Sequence, residues 1–231
     1  MIRENVSIGR EIKEIVIADL VLILAFTLTL EGGIGGISMP YSFVRRFFYL
    51  LPIVALGVTL SFVLHELMHK FVAEHYGAIA AFKTSTMGLL ITFATGLFGF
   101  LLGIPGATII YTSYFTKKQN GIVSIAGPLT NFTIFAIFLA LLLLLRPAPS
   151  SYAYALISFT IFISILLAFF NMLPVPPLDG SKVLGWNKSV YMATMAVIFV
   201  LMFLFTGIPI SSIVFMIFIA LLFSLFYRNL I

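Results

Sequence analysis

The stretch that decides the fold is Phe47-Phe48-Tyr49-Leu50-Leu51-Pro52-Ile53-Val54-Ala55-Leu56-Gly57-Val58-Thr59-Leu60-Ser61-Phe62-Val63-Leu64, which runs directly into His65-Glu66-Leu67-Met68-His69. Eighteen successive residues without a charge are enough for a membrane-crossing helix. On that helix His65 and His69, four apart, project from one face, with Glu66 about a quarter-turn away. Two imidazoles and a carboxylate so placed can hold a zinc ion beside the base that deprotonates its water. All three histidines of the chain (His65, His69 and His75) fall within this short region.

The rest of the chain is equally apolar. Of 231 residues, 61% are hydrophobic and 9% are charged, and the mean hydropathy is +1.18. A soluble domain carries about 25% charged residues, so the composition predicts an integral membrane protein with little chain left for an extramembrane domain. The formal net charge of +5 comes without a basic cluster and does not suggest nucleic acid. It fits loop lysines and arginines facing an anionic cytoplasmic leaflet. With no cysteine, disulfides and thiolate zinc ligands are excluded.

Apolar segments long enough to cross about 30 Å of hydrocarbon lie roughly at 14–30, 47–76, 122–145, 152–173, 189–206 and 209–228. Residues 1–14 read as a solvated or interfacial lead-in, and 15–30 as a retained first membrane helix. Met87 to Gly103 is shorter and glycine-rich, and β-favouring residues follow from Ala107 to Tyr114. If this element dips into the membrane and returns, Arg3, Arg10, Lys13, Lys70, Lys83, Lys117, Lys118, Lys182, Lys188 and Arg228 share the cytoplasmic side. Arg45, Arg46 and Arg146 then face outward, a clear positive-inside bias. The expectation is a single domain over 1–231: an all-α, multi-pass cell-membrane protein with about six crossings and one re-entrant, β-like element. The histidines then lie inside the bilayer near its cytoplasmic edge.

A catalytic zinc takes three protein ligands and leaves one position open. His75 has the spacing of a third histidine in motifs where a glycine turns the chain back to the metal. Here that glycine position is Val72, so the helix should continue and point His75 away. Asp179 is the stronger candidate. It sits in Asn171-Met172-Leu173-Pro174-Val175-Pro176-Pro177-Leu178-Asp179-Gly180, where three prolines stop a regular helix and can lead an aspartate back to a neighbouring one.

Three motifs, in order and spanning residues 65 to 180, resemble those of the site-2 proteases, intramembrane zinc metalloproteases. The first is His65-Glu66-Leu67-Met68-His69, extended by Ala73 and Gly77. The second is Ala126-Gly127-Pro128-Leu129-Thr130-Asn131, and the third runs from Asn171 to Gly180. The resemblance implies His65, His69 and Asp179 as ligands of one zinc ion, Glu66 as general base, and Asn131 and Asn171 as substrate-positioning amides. It also implies transmembrane-helix proteins as substrates, cleaved within or beside the membrane in regulated proteolysis. An extended substrate is expected to add to strand edges near 82–92 or 107–114. The sequence carries no soluble stretch for the accessory domains that many family members have. The alternatives are a membrane metal transporter, which would distribute its ligands along several helices, and a catalytically silent relative, which the presence of Glu66 argues against.

Overall fold

The structure is a computed structural model that describes residues 7–38, 40–112, 114–207, 209, 211, 213, 214, 217, 218 and 221. In chain order its elements are α1 (Ile8–Leu30), a 3-10 turn (Gly33–Ser38), α2 (Pro40–Val58), a π-helical turn (Thr59–Val63), α3 (Leu64–His75), β1 (Ile79–Thr84), α4 (Thr86–Leu97), β2 (Gly106–Tyr111), α5 (Lys117–Leu145), α6 (Tyr152–Asn171), α7 (Asp179–Trp186) and α8 (Lys188–Thr206). Among the described residues, four helical runs are long and apolar enough to cross a membrane: Pro40–His75, Lys117–Leu145, Tyr152–Asn171 and Lys188–Thr206. The expected first crossing, α1, has 23 residues, about 34 Å at 1.5 Å per residue. It carries Lys13, Glu14 and Asp19, however, and is not among those four. The expected sixth segment, 209–228, lies largely outside the described residues.

The central helix is α6, because its buried residues serve two cores. Ile161, Ile165, Ala168 and Phe169 join α5, α7 and α8 through Phe135, Val183, Tyr191 and Ile198. Ile163, on another face, joins Val54, Val58, Phe62, Leu22 and Phe82. Close approach needs small residues where helices cross. At Gly57 a Cβ would stand 2.8 Å from the Phe159 ring.

Between α3 and α5 the chain forms the β-containing element expected there, with different bounds. β1 and β2 are antiparallel, with Phe82 opposite Thr108. The strand expected near 82–92 is thus confined to 79–84, and Ser85 caps a helix by accepting from the Gly88 N–H. At 12 residues α4 spans about 18 Å, too short to cross. The non-helical return after it runs back along α4: Thr92 Oγ1 donates to Leu102 O and accepts from Ile104 N–H, and Thr95 Oγ1 accepts from Leu102 N–H. Main-chain groups away from water require such partners.

The outer edge of β1 is filled by α1. Phe82 N–H donates to Glu11 and Thr84 N–H donates to Glu14, at 3.2 and 2.8 Å. Glu11 is buried and also takes an ion pair from Lys70 of α3. The start of α1 is therefore a structural clamp, where a solvated lead-in was expected from residues 1–14. At the other end of α1, Glu31 is buried against Arg46 at 2.9 Å.

Candidate metal centre

The histidines lie in the continuous helical run Pro40–His75, one turn beyond its π-helical segment. A π turn inserts an extra residue and shifts the phase of everything after it. Polar contacts hold this one in place: Ser61 and Ser164 hydroxyls meet at 2.8 Å, and Thr59 donates to Asp19 at 2.7 Å. His65 lies about 15 Å and His69 about 9 Å from the His75 end of the run, at 1.5 Å per residue.

After His75 the chain turns sharply. Gly77, at φ +80°, donates to Glu74 O, and Ala78 N–H donates to Ala73 O. This is the Schellman arrangement, which needs a left-handed residue after the helix. Ala73 and Ala78 then pack with Ala80 and Val123. Ala73 and Gly77, noticed in the sequence only as part of a motif, thus end the histidine helix and launch β1. His75 stays on the exposed face, ring to ring with Tyr76.

His65, His69 and Asp179 come together, all buried. The edges of their donor triangle are 3.0 Å (His65 Nε2 to His69 Nε2), 3.4 Å (His65 Nε2 to Asp179 Oδ2) and 3.1 Å (His69 Nε2 to Asp179 Oδ2). A tetrahedral zinc with bonds of about 2.0–2.1 Å separates its ligand atoms by about 3.3 Å, so the donor set fits that ion. His69 Nδ1–H donates to Val123 O at 2.8 Å, so Nε2 is the nitrogen that can turn a lone pair to a metal once it gives up the proton it shares with Asp179. Burial alone would raise the Asp179 carboxyl. His69, hydrogen bonds from both imidazoles and Lys182 outweigh it and hold the group below the usual carboxylate range. The carboxylate is anionic, as a metal ligand must be.

Two glycines let these groups meet. A Cβ on Gly127 of α5 would stand 2.5 Å from Nε2 of both His65 and His69. On the other side, Met172, Leu173 and Val175 anchor the proline segment in the core and deliver Asp179 as the first residue of α7. A Cβ on Gly180 would lie 2.1 Å from Met172 O. Its role is close approach of α7 to the end of α6.

Glu66 points to the β element. Thr108 of β2 donates to Glu66 Oε2 from its main-chain N–H at 3.0 Å and from its hydroxyl at 2.7 Å. Nothing in the sequence marked Thr108, 42 residues away. Asn131 is fully buried, and both atoms of its amide lack a protein partner among the described residues. Asn171, the last residue of α6, donates its amide to Leu167 O at 3.1 Å.

The profile of Peptidase family M50 matches residues 146–207. The chain is 40% identical over 144 residues to "Putative zinc metalloprotease MJ0611" of Methanocaldococcus jannaschii, covering 62% of this chain and 73% of that protein. The chain belongs to peptidase family M50. This is the site-2 protease family to which the three motifs pointed. "Putative zinc metalloprotease YwhC" of Bacillus subtilis is 32% identical over 162 residues, 60% of this chain and 72% of that protein. "Putative zinc metalloprotease Rip2" of Mycobacterium tuberculosis is 30% identical over 142 residues, 55% and 54% of the two chains. No solved structure matches the chain. Membership of the M50 family and the buried His–His–Asp group together make this a multi-pass membrane metalloprotease whose cofactor is zinc.

Proposed function

We propose that this protease hydrolyses peptide bonds in or beside transmembrane segments of other membrane proteins, as one domain over residues 1–231. The observation that carries the reading is the placement of the donor triangle: buried, with both histidines inside the apolar run Pro40–His75 and Asp179 brought to them at the start of α7. His65, His69 and Asp179 hold the metal. Zinc, when bound, lowers the pKa of its water to about 7 and polarises the scissile carbonyl. Glu66 removes a proton from the attacking water and returns it to the leaving amine, so that one water is consumed and two termini form.

The substrate must be unwound, because a helical peptide bond is shielded by its own hydrogen bonds. Glu11 and Glu14 fill the outer edge of β1, which leaves the edge of β2 for an added strand. The amide of Asn131, without a partner among the described residues, suits a substrate carbonyl or N–H, since a buried amide left unpaired is costly. Asn171, at the end of α6, is the second substrate-positioning amide. The protein is placed in the cell membrane with about six crossings, and the Glu11–Lys70 and Glu31–Arg46 ion pairs support its orientation. Lys70, Lys83 and the start of α1 share one side, assigned to the cytoplasm, and Arg45 and Arg46 lie at the opposite end of α1.

The test is cleavage in proteoliposomes of a panel of single-span helices carrying helix-breaking residues, with the products mapped by mass spectrometry. Cuts inside the membrane-spanning stretch, lost in Glu66→Gln, are expected. Cleavage restricted to soluble loops far from any membrane segment would contradict the reading.

A further inference from the structure

In an antiparallel pair, every second residue of a strand turns both main-chain groups away from its partner. On β1 these residues include Phe82 and Thr84, whose N–H groups reach α1. Their register partners on β2 are Thr108 and Gly106. Thr108 therefore presents its N–H on the outer edge of the sheet, and the acceptor found there is the Glu66 carboxylate. The hydroxyl has one proton to give, and the shorter contact, 2.7 Å to Oε2 against 3.2 Å to the Glu66 carbonyl, takes it. One oxygen of Glu66 is thus gripped by two donors from a single residue, and the other has no hydrogen-bond partner among the described residues.

The register that brings Thr108 here is fixed from the opposite strand. Phe82, directly across from Thr108, is buried against Phe62 with ring centroids 5.7 Å apart. A slip of one residue would turn this side chain out of the core. Gly106 adds a second pin, since a Cβ there would stand 2.3 Å from Lys83 O. The β element is therefore more than an edge for substrate.

We propose that Thr108 is the positioning residue of Glu66: its N–H and hydroxyl together fix the carboxylate so that the free oxygen faces the attacking water. This rests on the proteolytic reading of the site. A base held by two charge-assisted hydrogen bonds needs no reorganisation when the proton moves. A substrate strand added at the neighbouring Ile110 leaves the Thr108 N–H with Glu66, so binding and positioning do not compete.

Two measurements test it on the zinc-loaded, full-length protein. The first is amide hydrogen exchange, which needs no activity. The Thr108 amide should exchange at least tenfold faster in Glu66→Ala than in wild type. Those of Ala107 and Ile109, which face β1, should not change, and Glu66→Gln, which keeps an acceptor, should stay protected. The second is steady-state cleavage of a transmembrane substrate. Thr108→Val should lower kcat about tenfold or more with KM and zinc content unchanged, and Thr108→Ser should restore it. Equal Thr108 exchange in wild type and Glu66→Ala would overturn the proposal. So would a Thr108→Val enzyme with wild-type kcat, or a Thr108→Ser enzyme as impaired as Thr108→Val. A wild-type protein that cleaves no membrane helix would refute the functional reading, while the exchange contrast would still decide the clamp.

Discussion

Gly127 and His65 are in contact through a gap that only hydrogen can fill: a Cβ at 127 would stand 2.5 Å from the imidazole Nε2. The α5 backbone is in effect a wall of the metal site. Gly127→Ala should displace the histidines and weaken zinc affinity by tenfold or more, on the scale found when groups orienting a ligand are altered. Metal analysis after dialysis against a zinc buffer checks this. Gly185→Ala, where a Cβ would meet nothing within 4 Å, is the control and should keep its metal.

Gly180→Ala acts on the opposite wall. The added methyl meets the Met172 carbonyl at 2.1 Å, and backbone cannot step aside as a flexible side chain can. Overpacking of this kind costs about 1–3 kcal/mol or more. A lower unfolding temperature is expected, together with weaker zinc retention, because Asp179 shares the displaced turn.

Lys70→Met should be strongly destabilising, since the Lys70 side chain is only 17% exposed. It leaves Glu11 buried, still accepting from Phe82 N–H but without its cation. Breaking one side of a buried pair costs about 3–5 kcal/mol. Glu11→Gln in the Lys70→Met background should recover part of that loss in thermal unfolding. Strictly additive losses would mean that the two residues are not coupled.

Phe82→Ala removes the anchor of the strand register. About 3–5 kcal/mol of stability should be lost, as for other buried Phe→Ala changes. Cleavage should fall further than the folded fraction does, since β2 then no longer presents Thr108 to Glu66. Activity that tracks the folded fraction alone would show that register matters only for stability.

What the sequence revealed follows the range of the interactions. His65 and His69 were legible because their relation is local, four residues on one helix, and the apolar run before them placed that helix in the membrane. Asp179 became legible only through the motif around it, since no spacing rule links residues 110 apart. The capping role of Ala73 and Gly77 was present as a pattern whose cause appeared with the turn itself. Glu11 was misjudged because a charged residue near a chain start usually faces solvent. Its burial follows from the unpaired N–H groups of β1. Thr108 could not be found at all, because its place beside Glu66 depends on the register of two strands that meet only after α4 has turned the chain back.

The central claim is that His65, His69 and Asp179 hold zinc while Glu66 works on the water beside it. It is tested most directly by zinc stoichiometry measured with membrane-helix cleavage in wild type, Glu66→Gln and Asp179→Ala. About one zinc per chain is expected in wild type and Glu66→Gln, with cleavage only in wild type, and loss of both metal and cleavage in Asp179→Ala. An Asp179→Ala protein that keeps its zinc, or a Glu66→Gln protein that cleaves at the wild-type rate, would contradict it.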